Sequence, residues 1–186
     1  VSMRTEGERC IVASGRTRFT LSTLPAADFP SIAAEEGMAT MTLASMQLKR
    51  LLDKTAFAMA QQDVRYYLNG VLLELAGTEL VAVATDGHRL SRFSVERQAG
   101  GEEDEEGRQM ILPAKTVSEL RRLLADDDTS LEFRWGERSV VAAFGNTILS
   151  SKLVDGKYPE YQRVIPKGLP RRAVVERMIA LMRQAA

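Results

Sequence analysis

The feature that most constrains this chain is an order of elements that occurs twice between residues 38 and 153. In the first pass, residues 38–43 read as a strand. A helix follows from Ala44 to about Ala60, because Leu48, Leu51, Leu52, Thr55 and Met59 recur at helical spacing. Three strands come next, at 71–75, 80–85 and 89–95. The second pass starts with a short strand at 109–112. Pro113 then opens a helix to about Ala125, with Val117, Leu120 and Leu124 as its buried stripe. Strands at 130–135, 139–144 and 147–153 complete it, punctuated by Gly136-Glu137 and Gly145-Asn146. A β-α-β-β-β unit present twice predicts one α+β domain with its two helices on one face of antiparallel sheet.

The flanks read differently. Residues 8–13 and 16–24 form two strands around Ser14-Gly15, and Phe19 and Leu21 share one face of the second. A lone hairpin is marginal in water, so this pair is expected to belong to a sheet completed elsewhere. Residues 25–37 read as a linker. Between the two passes, residues 98–108 carry Gly-Gly-Glu-Glu-Asp-Glu-Glu-Gly, too charged to pack and expected to be a solvated loop. After residue 153 comes an extended connector, and residues 174–184 read as a helix with Val175, Met178, Ile179 and Met182 on one face.

Composition excludes several classes. The 25 basic and 25 acidic residues cancel, so net charge alone predicts no nucleic-acid partner, although a neutral chain can still carry a basic face. One cysteine, Cys10, allows no intrachain disulfide. No apolar run approaches the roughly 18 residues of a membrane span. The expectation is a soluble cytoplasmic protein without a membrane partner. No His/Cys cluster has ligand spacing, so no metal site and no cofactor are expected. The corner Thr85-Asp86-Gly87-His88-Arg89-Leu90 holds the single histidine, and Asp86-Gly87 between apolar runs is a hairpin signal. His88 beside Asp86 suggests a general base with an orienting carboxylate. Nothing else in the chain supports catalysis, and no catalytic residue is assigned.

Each helix offers cations opposite its buried stripe: Lys49, Arg50 and Lys54 on the first, Lys115 and Arg122 on the second. Two readings are open. An ordinary solvated face would look like this, and so would a surface that follows phosphates without reading bases. Beyond the first helix, Tyr66 and Tyr67 are adjacent. They suit either core packing or contact with sugar and unpaired bases.

Four stretches carry a resemblance. Gln62-Asp-Val-Arg-Tyr-Tyr-Leu-Asn-Gly70, Ala84-Thr-Asp-Gly-His-Arg-Leu90, Ser151-Lys-Leu-Val-Asp-Gly-Lys-Tyr-Pro-Glu-Tyr161 and the run from Arg16 to Pro30 together resemble the bacterial sliding clamp, the β subunit of DNA polymerase III. The likeness runs in order through nearly the whole chain. It implies a sliding-clamp fold, with 1–24 as the closing strands of a first clamp domain and 25–37 as a linker. Residues 38–153 would be the second domain, 154–170 a connector and 171–186 the start of a third domain. The chain then reads as a fragment of a longer subunit.

The resemblance also implies a function: a homodimeric ring that encircles duplex DNA without sequence preference and tethers polymerases. Lys49, Arg50, Lys54 and Lys115, with Gln62, Tyr66 and Tyr67, become the DNA-facing residues. The replicative polymerase, the clamp loader and repair polymerases would dock short peptides in a pocket. The matching positions are Arg65, Leu68, Thr85, Gly87, His88, Arg89, Leu90, Pro159 and Val164. His88 is then a rim residue with no proton to move. Phe19 and Leu21 match a subunit-interface strand. The alternative is a stand-alone nucleic-acid-binding or protein-interaction module built on the same domain. The acidic run 102–106 and the residues after Lys167 match the family poorly.

Overall fold

The computed structural model describes residues 1–29, 35–97, 107–166 and 168. The acidic run at 102–106 and the expected helix at 174–184 lie outside the described residues, as does part of the expected linker.

Ahead of the duplicated region stand β1 (Ser2–Glu6), β2 (Arg9–Ser14) and β3 (Thr17–Ser22), an antiparallel sheet in the order β1-β2-β3. The sequence predicts only the last two. β1 is exposed along its whole length and lacks the apolar alternation that marks a strand, so its pairing with β2 carries the assignment instead. β3 is an edge, and Phe19 and Leu21 on it are 59% and 52% exposed.

The duplicated region contains β4 (Ala39–Ala44), α1 (Ser45–Thr55), β5 (Gly70–Ala76), β6 (Glu79–Thr85) and β7 (Leu90–Glu96). The second pass gives β8 (Gln109–Pro113), α2 (Ala114–Leu123), β9 (Ser130–Trp135), β10 (Ser139–Phe144) and β11 (Thr147–Lys152). The antiparallel sheet expected from the sequence is two four-stranded sheets, ordered β7-β6-β5-β8 and β11-β10-β9-β4. Each repeat lends its first strand to the other's sheet. That exchange ties the halves into one domain, because neither repeat completes a sheet alone.

One core lies between the sheets and the helices. Leu48, Leu51 and Leu52 of α1 and Val117 and Leu120 of α2 meet Leu73, Leu75 and Ala82 of one sheet and Leu131, Phe133 and Val140 of the other. All of these are at most 1% exposed, and each Leu so buried contributes on the order of 1.5–3 kcal/mol. The α1 N-terminus is closed by one of its own side chains and by the chain ahead of β9. Gln47 Oε1 accepts from Ala44 N–H at 2.9 Å, and the carbonyls of Thr129 and Asp127 accept from Ser45 and Met46 N–H. α1 ends at Thr55, earlier than the periodicity through Met59 predicts. The chain tightens there into a 3-10 turn, Ala56–Ala58, that stays in the same core.

In the sheet formed by β5 to β8, strands β5, β6 and β8 are buried on both faces, while β7 is partly exposed. Alternate residues Leu72, Val81, Val83 and Ile111 point away from the helices and meet Tyr158 and Tyr161. The segment after β11, expected to be a plain extended connector, therefore straps the outer face of this sheet. Tyr161 also donates from its hydroxyl to Glu74 Oε2 at 2.6 Å. Burial pushes the Tyr158 hydroxyl up to about 12.

Candidate functional site

The corner between β6 and β7 is held by its own side chains. Thr85 and Leu90 face each other across the ladder, which leaves residues 86–89 as the loop. Asp86 Oδ1 accepts from the backbone N–H of Arg89 and of His88, at 3.0 and 2.9 Å. Thr85 Oγ1 accepts from Gly87 N–H at 3.1 Å and donates to the Arg89 carbonyl at 2.7 Å. The Asp86 carboxyl lies below the usual carboxylate range, chiefly because of the Arg89 and His88 N–H bonds. It binds the backbone of His88, and its other oxygen meets Arg89 Nε at 3.0 Å. The arrangement is a loop brace, and it gives no support to the general-base reading of His88.

A second loop, residues 61–69, packs beside this corner. Asn69 zips it shut, accepting from Asp63 N–H at 3.0 Å and donating to the Asp63 carbonyl at 2.9 Å. Arg65 lies between the two loops. Its Nη2 donates to Asp63 Oδ2 at 2.7 Å and to the Asp86 carbonyl at 3.2 Å. The Asp63 carboxyl falls to about 2 for that reason, since the Arg65 side chain and backbone both donate to it.

These loops and the strap enclose a cleft of about 430 Å³. Arg65, Leu68, Thr85, Gly87, His88, Arg89, Leu90, Pro159 and Val164 all line it, so the nine pocket positions carried by the resemblance come together in space. Glu160 and Tyr161 line it too. Both lie in the stretch that the sequence reads as a plain connector, and nothing local marks either as a lining residue. Leu68 and Tyr161 form a buried floor, while Val164 stands 67% exposed at the mouth. An apolar floor with polar backbone and side-chain groups at the rim suits an extended segment that carries a large apolar residue.

The other site residues separate into three places. Gln62 and Tyr66 are exposed on the 61–69 loop, where Gln62 takes a left-handed φ of +55°. Tyr66 and Tyr67 meet edge-on at 5.8 Å, and both pack against Gly156 of the strap. On α1, Arg50 and Lys54 are exposed, but Lys49 is engaged, its Nζ donating to the Arg121 carbonyl of α2 at 2.8 Å. Lys115 is exposed on the first turn of α2. Arg122 is paired with Glu119 at 2.6 Å, and Arg121 with Asp53 of α1 at the same distance. The third place is β3, with Phe19 and Leu21. Among the described residues no group of His, Cys, Asp and Glu side chains is arranged to hold a metal, and no helix is long and apolar enough to cross a membrane.

Residues 42–160 match the family model of the DNA polymerase III beta subunit, central domain. The chain is 47% identical to the beta sliding clamp of Pseudomonas aeruginosa over 168 residues, covering 90% of this chain and 45% of that protein. It is also 47% identical to the Escherichia coli K12 beta sliding clamp, over 90% of this chain and 44% of that protein. A solved Pseudomonas aeruginosa DNA polymerase sliding clamp with ligand superposes with a TM-score of 0.82 and 48% identity, over 89% of this chain and 44% of that one. Another structure of a sliding clamp from the same organism, bound to griselimycin, gives 0.81 at 48% identity over 89% of this chain and 44% of that one. The chain thus spans less than half the length of these relatives. A duplicated α+β domain with two exchanged sheets, matched over most of its length at this identity, belongs to the DNA polymerase III beta subunit (sliding clamp) family.

Proposed function

We propose that this chain forms part of a DNA sliding clamp, a processivity factor that encircles duplex DNA and tethers polymerases to it. Its work is tethering, with no catalytic step. In this reading residues 1–24 close a preceding clamp domain, 38–153 are the central domain, and 154–170 lead toward a following one. The central domain contributes the helix faces that pass along the DNA. Exposed Arg50, Lys54 and Lys115 make weak phosphate contacts that hold the duplex without fixing its register, which is what sliding requires. Gln62, Tyr66 and Tyr67 add contacts from the loop beside the cleft.

The observation that carries the proposal is the cleft, where three separate segments of the chain converge on one apolar floor. Its occupants would be short clamp-binding peptides of the replicative polymerase, the clamp loader and repair polymerases. A Leu or Phe anchor would seat against Leu68, Leu90, Pro159 and Val164, with Arg65, Thr85, Gly87 and His88 around the peptide's polar part. The assembled subunit would be a homodimeric ring working on the nucleoid in the cytoplasm.

Titration of a peptide ending in Leu-Phe against the full-length subunit and its Leu90→Ala variant tests this. Affinity should fall by about tenfold or more in the variant. Equal affinity would remove the cleft assignment.

A further inference from the structure

The turn between β9 and β10 carries a carboxylate-binding site that the clamp reading does not use. Three donors converge there on Glu35, which lies about a hundred residues away in the chain. Glu35 Oε2 accepts from Glu137 N–H at 2.8 Å. Its Oε1 accepts from Arg138 N–H at 3.1 Å and from Ser139 Oγ at 2.6 Å. Ser139 is only 4% exposed, so this hydroxyl has been withdrawn from water toward the carboxylate. The space is made by Gly136. A Cβ at that position would collide with the Glu35 carboxylate, so the site needs glycine for room.

The same turn is held from the opposite side. Arg108 Nη2 donates to the Gly136 carbonyl at 2.7 Å, and the Leu153 N–H to the Arg138 carbonyl at 2.8 Å. The N–H side of the turn therefore faces an anion while its C=O side faces a cation. That polarity suits the turn for a carboxylate. The equivalent turn of the first repeat shares half of this arrangement. Arg97 Nη2 donates to the Gly77 carbonyl at 2.7 Å, and Arg97 N–H to the Thr78 carbonyl. What the second repeat adds is Glu35.

We infer that Glu35 is a latch, seated in the nest formed by residues 136–139, that fixes the end of the linker to the central domain and so sets where the preceding sheet departs from it. The device would limit swing between successive domains without a large interface. It stands apart from the peptide cleft, since none of its residues lines that cleft.

Hydrogen exchange on the full-length subunit tests the latch. In Glu35→Ala, the Glu137 and Arg138 amides should exchange at least about tenfold faster, as charge-assisted bonds protect them in the wild type. Cleavage by a glutamate-specific protease after exposed Glu36 should quicken as well. Gly136→Ala, which keeps the carboxylate but fills its seat, should reproduce both effects. Val141 and Ala142 in β10 report on the fold and should keep their protection. Unchanged exchange at Glu137 and Arg138 in both variants would overturn the latch. So would an acceleration shared equally by Val141 and Ala142, since that marks general loosening. Peptide affinity at the cleft should not change, which separates failure of the latch from failure of the cleft assignment.

Discussion

Arg65 lies across the face of Gly87, with its Nη1 3.1 Å from where a Cβ on residue 87 would stand. Gly87 also has φ = +92°, a region that L-residues with side chains rarely enter. Two constraints therefore fall on one position: backbone conformation and the close approach of a guanidinium. Gly87→Ala should destabilise the chain by about 1–2 kcal/mol from the backbone conformation alone. It should also push Arg65 off the corner and weaken peptide binding in the cleft. Urea denaturation and peptide titration on the same variant measure the two effects. A variant with both unchanged would mean that the corner accommodates the methyl group.

The Arg65 to Asp63 pair gives a prediction with a sign. The Asp63 carboxyl is depressed from 3.8 to about 2, so its contribution is present above 3.8 and is lost as pH falls through about 2. Carboxyl chemical shifts followed by NMR should place the Asp63 midpoint near 2, and Arg65→Ala should return it toward 3.8. Peptide binding at pH 5 and pH 7 should not differ on account of this pair.

Much of the domain was legible because its turns and its stripes agree. Gly77-Thr78 and Gly145-Asn146 fall where the ladders close, and Leu48, Leu51 and Leu52 point where the helical period puts them. The misses share a cause, which is dependence on a partner distant in sequence. β1 has no pattern of its own and exists through pairing with β2. The exchange of β4 and β8 between sheets is decided by the packing of both repeats together, which no local window contains. Tyr158 and Tyr161 look like connector residues until the outer face of the β5–β8 sheet is seen to need cover. For the cleft, the corner at 85–90 was readable locally, but its convergence with Leu68, Pro159 and Val164 came through family resemblance. Lys49 shows the limit of helical phase. Its position faces outward, yet its ammonium is occupied by the Arg121 carbonyl.

That difference separates the α1 cations experimentally. If the helix faces follow phosphates, log K for DNA falls linearly with log salt, and each lost contact lowers the slope by roughly 0.9. Arg50→Ala and Lys54→Ala should each reduce the slope by about that amount for the full-length subunit on linear duplex. Lys49→Ala should reduce it less, because its Nζ already serves the α1–α2 contact. Affinity should drop evenly across unrelated sequences. A change confined to one sequence would point to base reading and against sliding.

The edge strand β3 makes the last prediction. Phe19 and Leu21 are two residues apart, so their side chains lie on one face, opposite Val12 and Cys10 across the ladder. More than half of each is exposed, and no strand pairs with the free edge of β3 among the described residues. An apolar pair on an open edge favours another chain. In the full-length subunit Phe19→Ser should weaken self-association roughly 10- to 100-fold, the loss expected for one buried aromatic. Thr20→Ser alters the opposite face of the same strand and should leave association unchanged. Sedimentation of the two variants over a dilution series distinguishes an interface from an incidental apolar edge. Equal dissociation constants for Phe19→Ser and the unmodified subunit would remove β3 as a self-association contact.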